Sequence, residues 1–81
     1  MGSDDMNTEE FVEFIKLLRL ACPGYMDIHG HYVGNYQVHI ECIAPDGRQS
    51  TMRFHLDDDQ EPAQWAHQVA KSINASWVAT T

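Results

Sequence analysis

The sequence predicts an α+β fold with the element order αβββα, a single small domain of 81 residues. Two amphipathic patterns predict the helices, because apolar residues recur every three or four positions near both ends of the chain. Between them, three short runs alternate apolar and polar residues, which indicates a three-stranded antiparallel meander. We expect both helices to cover one inner face of the sheet and to leave the outer face open.

The first helix is predicted over residues 7–22. Asn7 is a favoured N-cap residue, and Glu10 three positions later completes a capping-box pattern. Pro23-Gly24 ends the helix, since Pro cannot continue it and Gly tolerates the turn that follows. The apolar stripe that should face the core consists of Phe11, Phe14, Ile15, Leu18 and Cys22, widened by Val12 and Leu17.

The three strands are predicted over residues 25–32, 36–43 and 48–57. Side chains alternate between the two faces along a strand, so each strand divides into two sets. The inward set is Met26, Ile28, Tyr32, Val38, Ile40, Cys42, Met52, Phe54 and Leu56. The outward set is Asp27, His29, His31, Gln37, His39, Glu41, Thr51, Arg53, His55 and Asp57. Gly30 inside the first strand indicates a bulge or a helix that packs closely above it.

The first hairpin allows two registers that bring histidines together. A three-residue loop over 33–35 pairs the tyrosines that flank it and sets His29 opposite His39. A slip by two residues sets His31 opposite His39 instead. Either register predicts a contact between two histidines across the hairpin.

The second hairpin has a stronger turn signal. In the loop 45–47, Pro presets one backbone angle and Gly supplies a positive φ. This loop pairs Ala44 with Arg48 and sets His39 opposite Arg53. The same register sets Glu41 opposite Thr51 and Gln37 opposite His55.

The second helix is predicted over about residues 60–75, with Pro62 in its first turn. Its apolar face is expected to contain Trp65, Ala66, Val69, Ala70, Ile73 and Trp77. The domain should therefore span residues 7–77, with a disordered tail over 1–6 and a C-terminal tail over 78–81.

The charge balance is strongly acidic. Twelve Asp and Glu residues outnumber five Lys and Arg residues, for a formal charge of −7. The element order resembles that of double-stranded-RNA-binding domains, whose last helix starts with basic residues that bind phosphate. Here that position holds the acidic run 57–61. We therefore predict no direct contact with nucleic acid, and a partner with a basic surface instead.

Cysteine content and apolar patterning predict a cytoplasmic protein without a membrane span. Cys22 and Cys42 both lie in apolar patterns, so we expect buried free thiols in a reducing compartment. No apolar run approaches the roughly 20 residues that cross a bilayer, and the acidic N-terminal region is unlike a secretory signal. No phosphate-loop, nucleophile-elbow or metalloprotease motif occurs, so we predict that the protein is not an enzyme.

Four histidines on the predicted outer face are the most unusual feature of the chain. His29, His39 and His55 are candidate metal ligands, because neutral imidazole binds zinc. The same residues are candidates for a pH sensor, because the ordinary pKa of imidazole, about 6.5, lies in the physiological range. No other cofactor is predicted.

We predict above all a small protein-binding module that acts as an inhibitor or adaptor of a larger protein, with nucleic-acid-handling proteins among the candidates. In size and charge it is similar to phage anti-defence proteins. The outer sheet face and the acidic run are the expected contact surfaces. Their candidate residues are His29, His31, His39, Glu41, Arg53, His55, Asp57, Asp58, Asp59 and Glu61. The edge of strand 25–32 is a further candidate surface, through which a homodimer would extend the sheet.

Overall fold

The structure is a computed structural model that describes residues 6–79 and, within them, the side chains of residues 6–75. The elements are α1 (Thr8–Ala21), β1 (Asp27–Gly34), β2 (Gln37–Ile43), β3 (Gln49–His55) and α2 (Pro62–Ala79). The strands form one antiparallel sheet in the order β1-β2-β3. The predicted α+β architecture is confirmed.

Helix α1 begins with the predicted capping box. The Asn7 side chain accepts a hydrogen bond from the Glu10 amide at 2.8 Å, and the Glu10 side chain accepts one from the Asn7 amide at 3.2 Å. Two amides that the helix leaves unpaired are thereby satisfied. The helix ends at Ala21, and the N–H of the capping residue Cys22 donates to the Arg19 carbonyl at 3.3 Å.

The second hairpin has the predicted register. The Ala44 amide donates to the Arg48 carbonyl at 2.9 Å, and the Gly47 amide donates back to the Ala44 carbonyl. Gly47 has the positive φ that the turn requires, 89°. The predicted pairs His39 with Arg53, Glu41 with Thr51, and Gln37 with His55 are all present.

The first hairpin has the slipped register, so the pairing of Tyr32 with Tyr36 is wrong. Its turn consists of Asn35 and Tyr36, with φ values of 52° and 60°, the pair of positive angles that a type I′ turn requires. The register shifts between Tyr32 and Gly34, which leaves Val33 as a bulged residue. His31 therefore faces His39, and His29 faces Glu41.

Met26 is a second correction, because its side chain is 69% exposed rather than inward. Strand β1 starts at Asp27, and the Met26 amide donates to the Ile43 carbonyl although Asp27 is the residue paired with Ile43. Met26 thus lies before the regular ladder, where the strict alternation of side chains no longer applies.

The core lies between the two helices and the inner sheet face. The buried residues of the strands are Ile28, Val38, Ile40 and Cys42, and those of the helices are Phe14, Ile15, Leu18, Trp65, Ala66, Val69, Ala70 and Ile73. Leu56, just after β3, is buried with them. Phe14 and Tyr36 pack edge-on against Trp65, with ring centroids 6.3 and 5.8 Å away.

The ends of the domain differ from the predicted boundaries. Met6 is only 6% exposed and belongs to the core, so this residue of the predicted 1–6 tail is part of the domain. Helix α2 extends to Ala79, beyond residue 77. The rest of the predicted tails, residues 1–5 and 80–81, and the side chain of Trp77 lie outside the described residues. Among the described residues, no helix is both long and apolar enough to cross a membrane.

Candidate functional site

The outer sheet face carries the predicted polar residues. We use this name for His29, His31, Gln37, His39, Glu41, Arg53 and His55. Three of its histidines are exposed and His39 is half-buried. The helices contribute their buried residues to the core on the other side of the sheet, so this face is open to a partner.

His39 is the centre of the outer sheet face because it lies on the middle strand. It faces His31 on β1 and Arg53 on β3. Directly opposed Cβ atoms in an antiparallel ladder are about 5 Å apart, so these three side chains are neighbours. His39 and Arg53 line a shallow depression of about 190 Å³ that also includes Gln37 and His55.

His29 has a different environment at the edge of the sheet. Its Nε2 atom lies 2.8 Å from Oδ2 of Asp27, the distance of an ion pair when the imidazole is protonated. Glu41 is the residue opposite on β2. The histidines therefore differ in their neighbours, because His29 lies beside two carboxylates whereas His39 faces Arg53.

The three candidate zinc ligands do not converge. In the described part of the chain, the one group of three possible ligand atoms within 4.8 Å of each other comes from Asp57, Asp58 and Asp59. His29, His39 and His55 occupy three strands, and the register sets His39 diagonal to each of the other two. Metal binding by these histidines stays a prediction that requires their side chains to move.

The acidic segment, defined as Asp57, Asp58, Asp59 and Glu61, is exposed and connects β3 to α2. The Asp59 carboxyl raises the pKa of Asp57, first because it accepts a hydrogen bond from the protonated form and also because the two charges repel. The Trp65 side chain anchors the segment to α2, because its Nε1 donates a hydrogen bond to the Asp57 carbonyl at 2.7 Å. The Glu61 amide donates to Gln64 Oε1 at 2.9 Å, which caps the start of α2.

An open groove of about 570 Å³ joins the two predicted contact surfaces. His55 of the outer sheet face and Asp57 and Asp58 of the acidic segment line it together, with Tyr36 and Gln68 on its other walls. The sequence did not predict this groove, because its walls come from the first hairpin turn, the end of β3 and α2. A partner that contacts the groove contacts both surfaces.

A second, more apolar groove of about 740 Å³ lies between α1 and the edge of β1. Val12 and Leu20 lie along it and are 58% and 72% exposed, so the assignment of Val12 to the core-facing stripe is wrong. The spacing along the sequence could have indicated that Val12 is exposed, because Val12, Lys16 and Leu20 follow one another at intervals of four residues and share one side of the helix.

The two cysteines are free and buried, as predicted. Burial raises the pKa of Cys22, and it raises that of Cys42 to about 11, with Cys22 and Glu41 adding to the effect. Since the thiolate is the reactive form, we expect both thiols to be protonated and unreactive at neutral pH. Cys42 faces the core, on the side of the sheet opposite His39.

Comparisons with protein-family models, with curated proteins and with solved structures found no match.

Proposed function

We propose that this protein is a binding module for another protein and acts as an inhibitor or adaptor, without catalytic activity of its own. The observation that carries the proposal is the groove that His55, Asp57 and Asp58 line together. It makes the outer sheet face and the acidic segment one continuous surface.

The chemistry of this surface favours a partner with a basic patch. Asp58, Asp59 and Glu61 are exposed, and few cations lie among them. Complementary charge accelerates encounter and selects among partners, while the open strands offer imidazole, amide and guanidinium groups for hydrogen bonds. A rigid sheet also presents these groups with little ordering cost.

A basic patch of this kind is typical of proteins that handle nucleic acid. An acidic module that binds to such a patch would compete with the phosphates of nucleic acid and would thereby inhibit the partner. A phage-type anti-defence role fits this size and charge. We place the protein in the cytoplasm, where its two free thiols would stay reduced.

The second candidate function is a binding module whose affinity depends on pH. The pairing of His31 with His39 across the β1–β2 ladder favours it. The Cβ atoms of directly opposed residues are about 5 Å apart, so two protonated imidazoles at these positions repel each other, and Arg53 adds to that repulsion. Acidification would then change the charge at the centre of the outer sheet face, and partner affinity with it.

The test begins with affinity capture from lysate of the native host, identification of the captured protein and measurement of its Kd. Two variants remove the two halves of the surface: His39→Ala/His55→Ala, and Asp58→Lys/Asp59→Lys. His67→Ala, an exposed histidine on α2, is the matched control. We expect each double variant to weaken binding at least about tenfold and the control to leave it unchanged.

Other outcomes separate the alternatives. A Kd that both double variants leave unchanged would refute the proposed surface. Loss of binding with a chelator would indicate that the histidines act through a metal. A Kd that changes between pH 6 and pH 7.5 in the wild type, but not in the histidine variant, would support the pH-sensing candidate.

A further inference from the structure

Helix α1 has an exposed side that the core does not use. Val12, Lys16 and Leu20 succeed one another at intervals of four residues, which places them in one row. Val12 and Leu20 expose more than half of their surface, and the row borders the groove of about 740 Å³ beside β1. Two large apolar side chains flanking one such groove are a common feature of association sites.

The acidic and the basic residues of α1 lie in different halves of the helix. Glu9, Glu10 and Glu13 lie in its first half, and Lys16 and Arg19 lie in its second half. In the described part of the chain, the ion pairs are His29 with Asp27 and Arg48 with Asp46, so neither Glu13 nor Lys16 is in one. The helix is therefore complementary in charge to an antiparallel copy of itself.

The neighbouring edge of β1 is partly closed to strand addition. Arg19 Nε donates to the Ile28 carbonyl at 3.0 Å, and the Ile28 amide donates to Asp27 Oδ1 at 2.9 Å. Both backbone groups of Ile28 are thus already engaged by side chains, as is typical of protected edge strands. A second copy that added a strand here would have to break both hydrogen bonds.

We propose that a second copy of this chain docks on α1, with the two α1 helices antiparallel across a two-fold axis. Glu13 then lies against the partner's Lys16, and the symmetry repeats this pair. Val12 and Leu20 of both copies cover the apolar groove, and the opposed helix dipoles attract. This contact uses a helix rather than the strand edge predicted from the sequence.

The dimer goes beyond the proposed function because it uses a different surface. Most of the outer sheet face lies on the other side of the sheet from α1, so both copies keep His31, His39 and His55 available. His29, at the β1 edge, is the residue of that face that also lines the groove. Each copy carries a formal charge of −7, which opposes association. Salt at physiological strength limits that repulsion to about 8 Å, while groups in direct contact are less affected.

Sedimentation equilibrium over a range of protein concentrations tests the dimer. Lys16→Glu and Glu13→Lys each replace an attractive pair by a repulsive one, and we expect each to weaken dimerisation at least about tenfold. The double variant Glu13→Lys/Lys16→Glu exchanges the charges and should restore it. Leu20→Ser should also weaken it, whereas Val33→Ser, at an exposed valine on the first hairpin, should not.

Two results would overturn the proposal. One is a monomeric wild type at about 1 mM protein, where a dimer with a Kd near that value is still detected. The other is a dimer that the Leu20 and charge variants leave intact, including one that instead dissociates when His31 on β1 is changed. Circular dichroism of each variant separates loss of the dimer from loss of the fold.

Discussion

Gly30 is the residue that decides how closely α1 approaches the sheet. A Cβ atom at this position would overlap Cδ1 of Ile15 and lie 3.2 Å from Cζ of Phe11. The missing side chain therefore lets the helix lie directly on β1. The sequence predicted a close approach or a bulge at Gly30, and the structure confirms the close approach. Gly30 lies on the inward face of β1, between Ile28 and Tyr32.

Gly30→Ala should lower the free energy of unfolding by about 1–3 kcal/mol, since the added methyl group overpacks the contact with Ile15. Urea denaturation measures the change. Ile15→Val removes Cδ1, so the double variant should regain part of the loss. Gly24→Ala is the matched control, because a Cβ there meets nothing within 4 Å. Equal losses at both glycines would show that backbone freedom, rather than packing, explains the effect.

The two hairpins show how far element geometry can be predicted from the sequence. The turn and the register of the second hairpin were predicted correctly, because Pro45 and Gly47 are residues whose backbone preferences fix a turn. The predicted strand 48–57 was too long, since β3 ends at His55 and Asp57 lies beyond it. The first was predicted only as one of two registers. Its turn places Tyr36, a bulky residue, at a positive φ of 60°, which favours Gly or Asn. Asn35 has a local preference for its positive φ, but Tyr36 does not, so the sequence indicates only half of this turn.

Tertiary contacts of Tyr36 supply what its local preference lacks. Its ring packs against Trp65, and its amide donates to the Tyr32 hydroxyl at 3.0 Å. The same hydroxyl accepts a hydrogen bond from the Met6 amide at 3.1 Å. One oxygen thus connects the first hairpin to the segment before α1, a relation between residues far apart in the sequence that periodicity cannot reveal.

Tyr32→Phe should destabilise the protein by about 1–3 kcal/mol, because it keeps the ring but leaves two amides without this acceptor. Thermal denaturation is the measurement. Tyr25→Phe removes a hydroxyl that donates to the Ile73 carbonyl and should cost less, since no amide loses its partner there. A smaller loss at Tyr32 than at Tyr25 would contradict this explanation.

At the scale of the whole molecule, charge and shape divide the surface into three regions. The open sheet face carries imidazoles, the acidic segment carries adjacent carboxylates, and α1 carries charges of both signs. The sequence predicted the first two regions because strand alternation and a run of acids are local patterns. It did not predict the grooves beside them, because each groove is formed by elements that meet only in three dimensions.

Asp57→Asn should stabilise the protein at neutral pH. The pKa of Asp57 is raised, so folding favours its protonated form, and the ionised carboxyl opposes folding above that pKa. The melting temperature of the variant should therefore exceed that of the wild type at pH 7. The difference should shrink as the pH falls toward 3.8, the ordinary value for this carboxyl. Glu41→Gln, which removes the same charge from β2, away from the acidic segment and from α1, is the control. A gain that persists at low pH would refute this cause.

Trp65 gives the molecule an optical property. Its indole is fully buried, touches two other aromatic rings, and is tied through Nε1 to the backbone of the acidic segment. The emission of an indole depends on the field and the mobility around it. A ligand that shifts the carbonyl of Asp57 would thus change the fluorescence of a residue it never touches. In a Trp77→Phe background, all tryptophan emission comes from this one ring, and occupancy of the acidic segment becomes visible without a label.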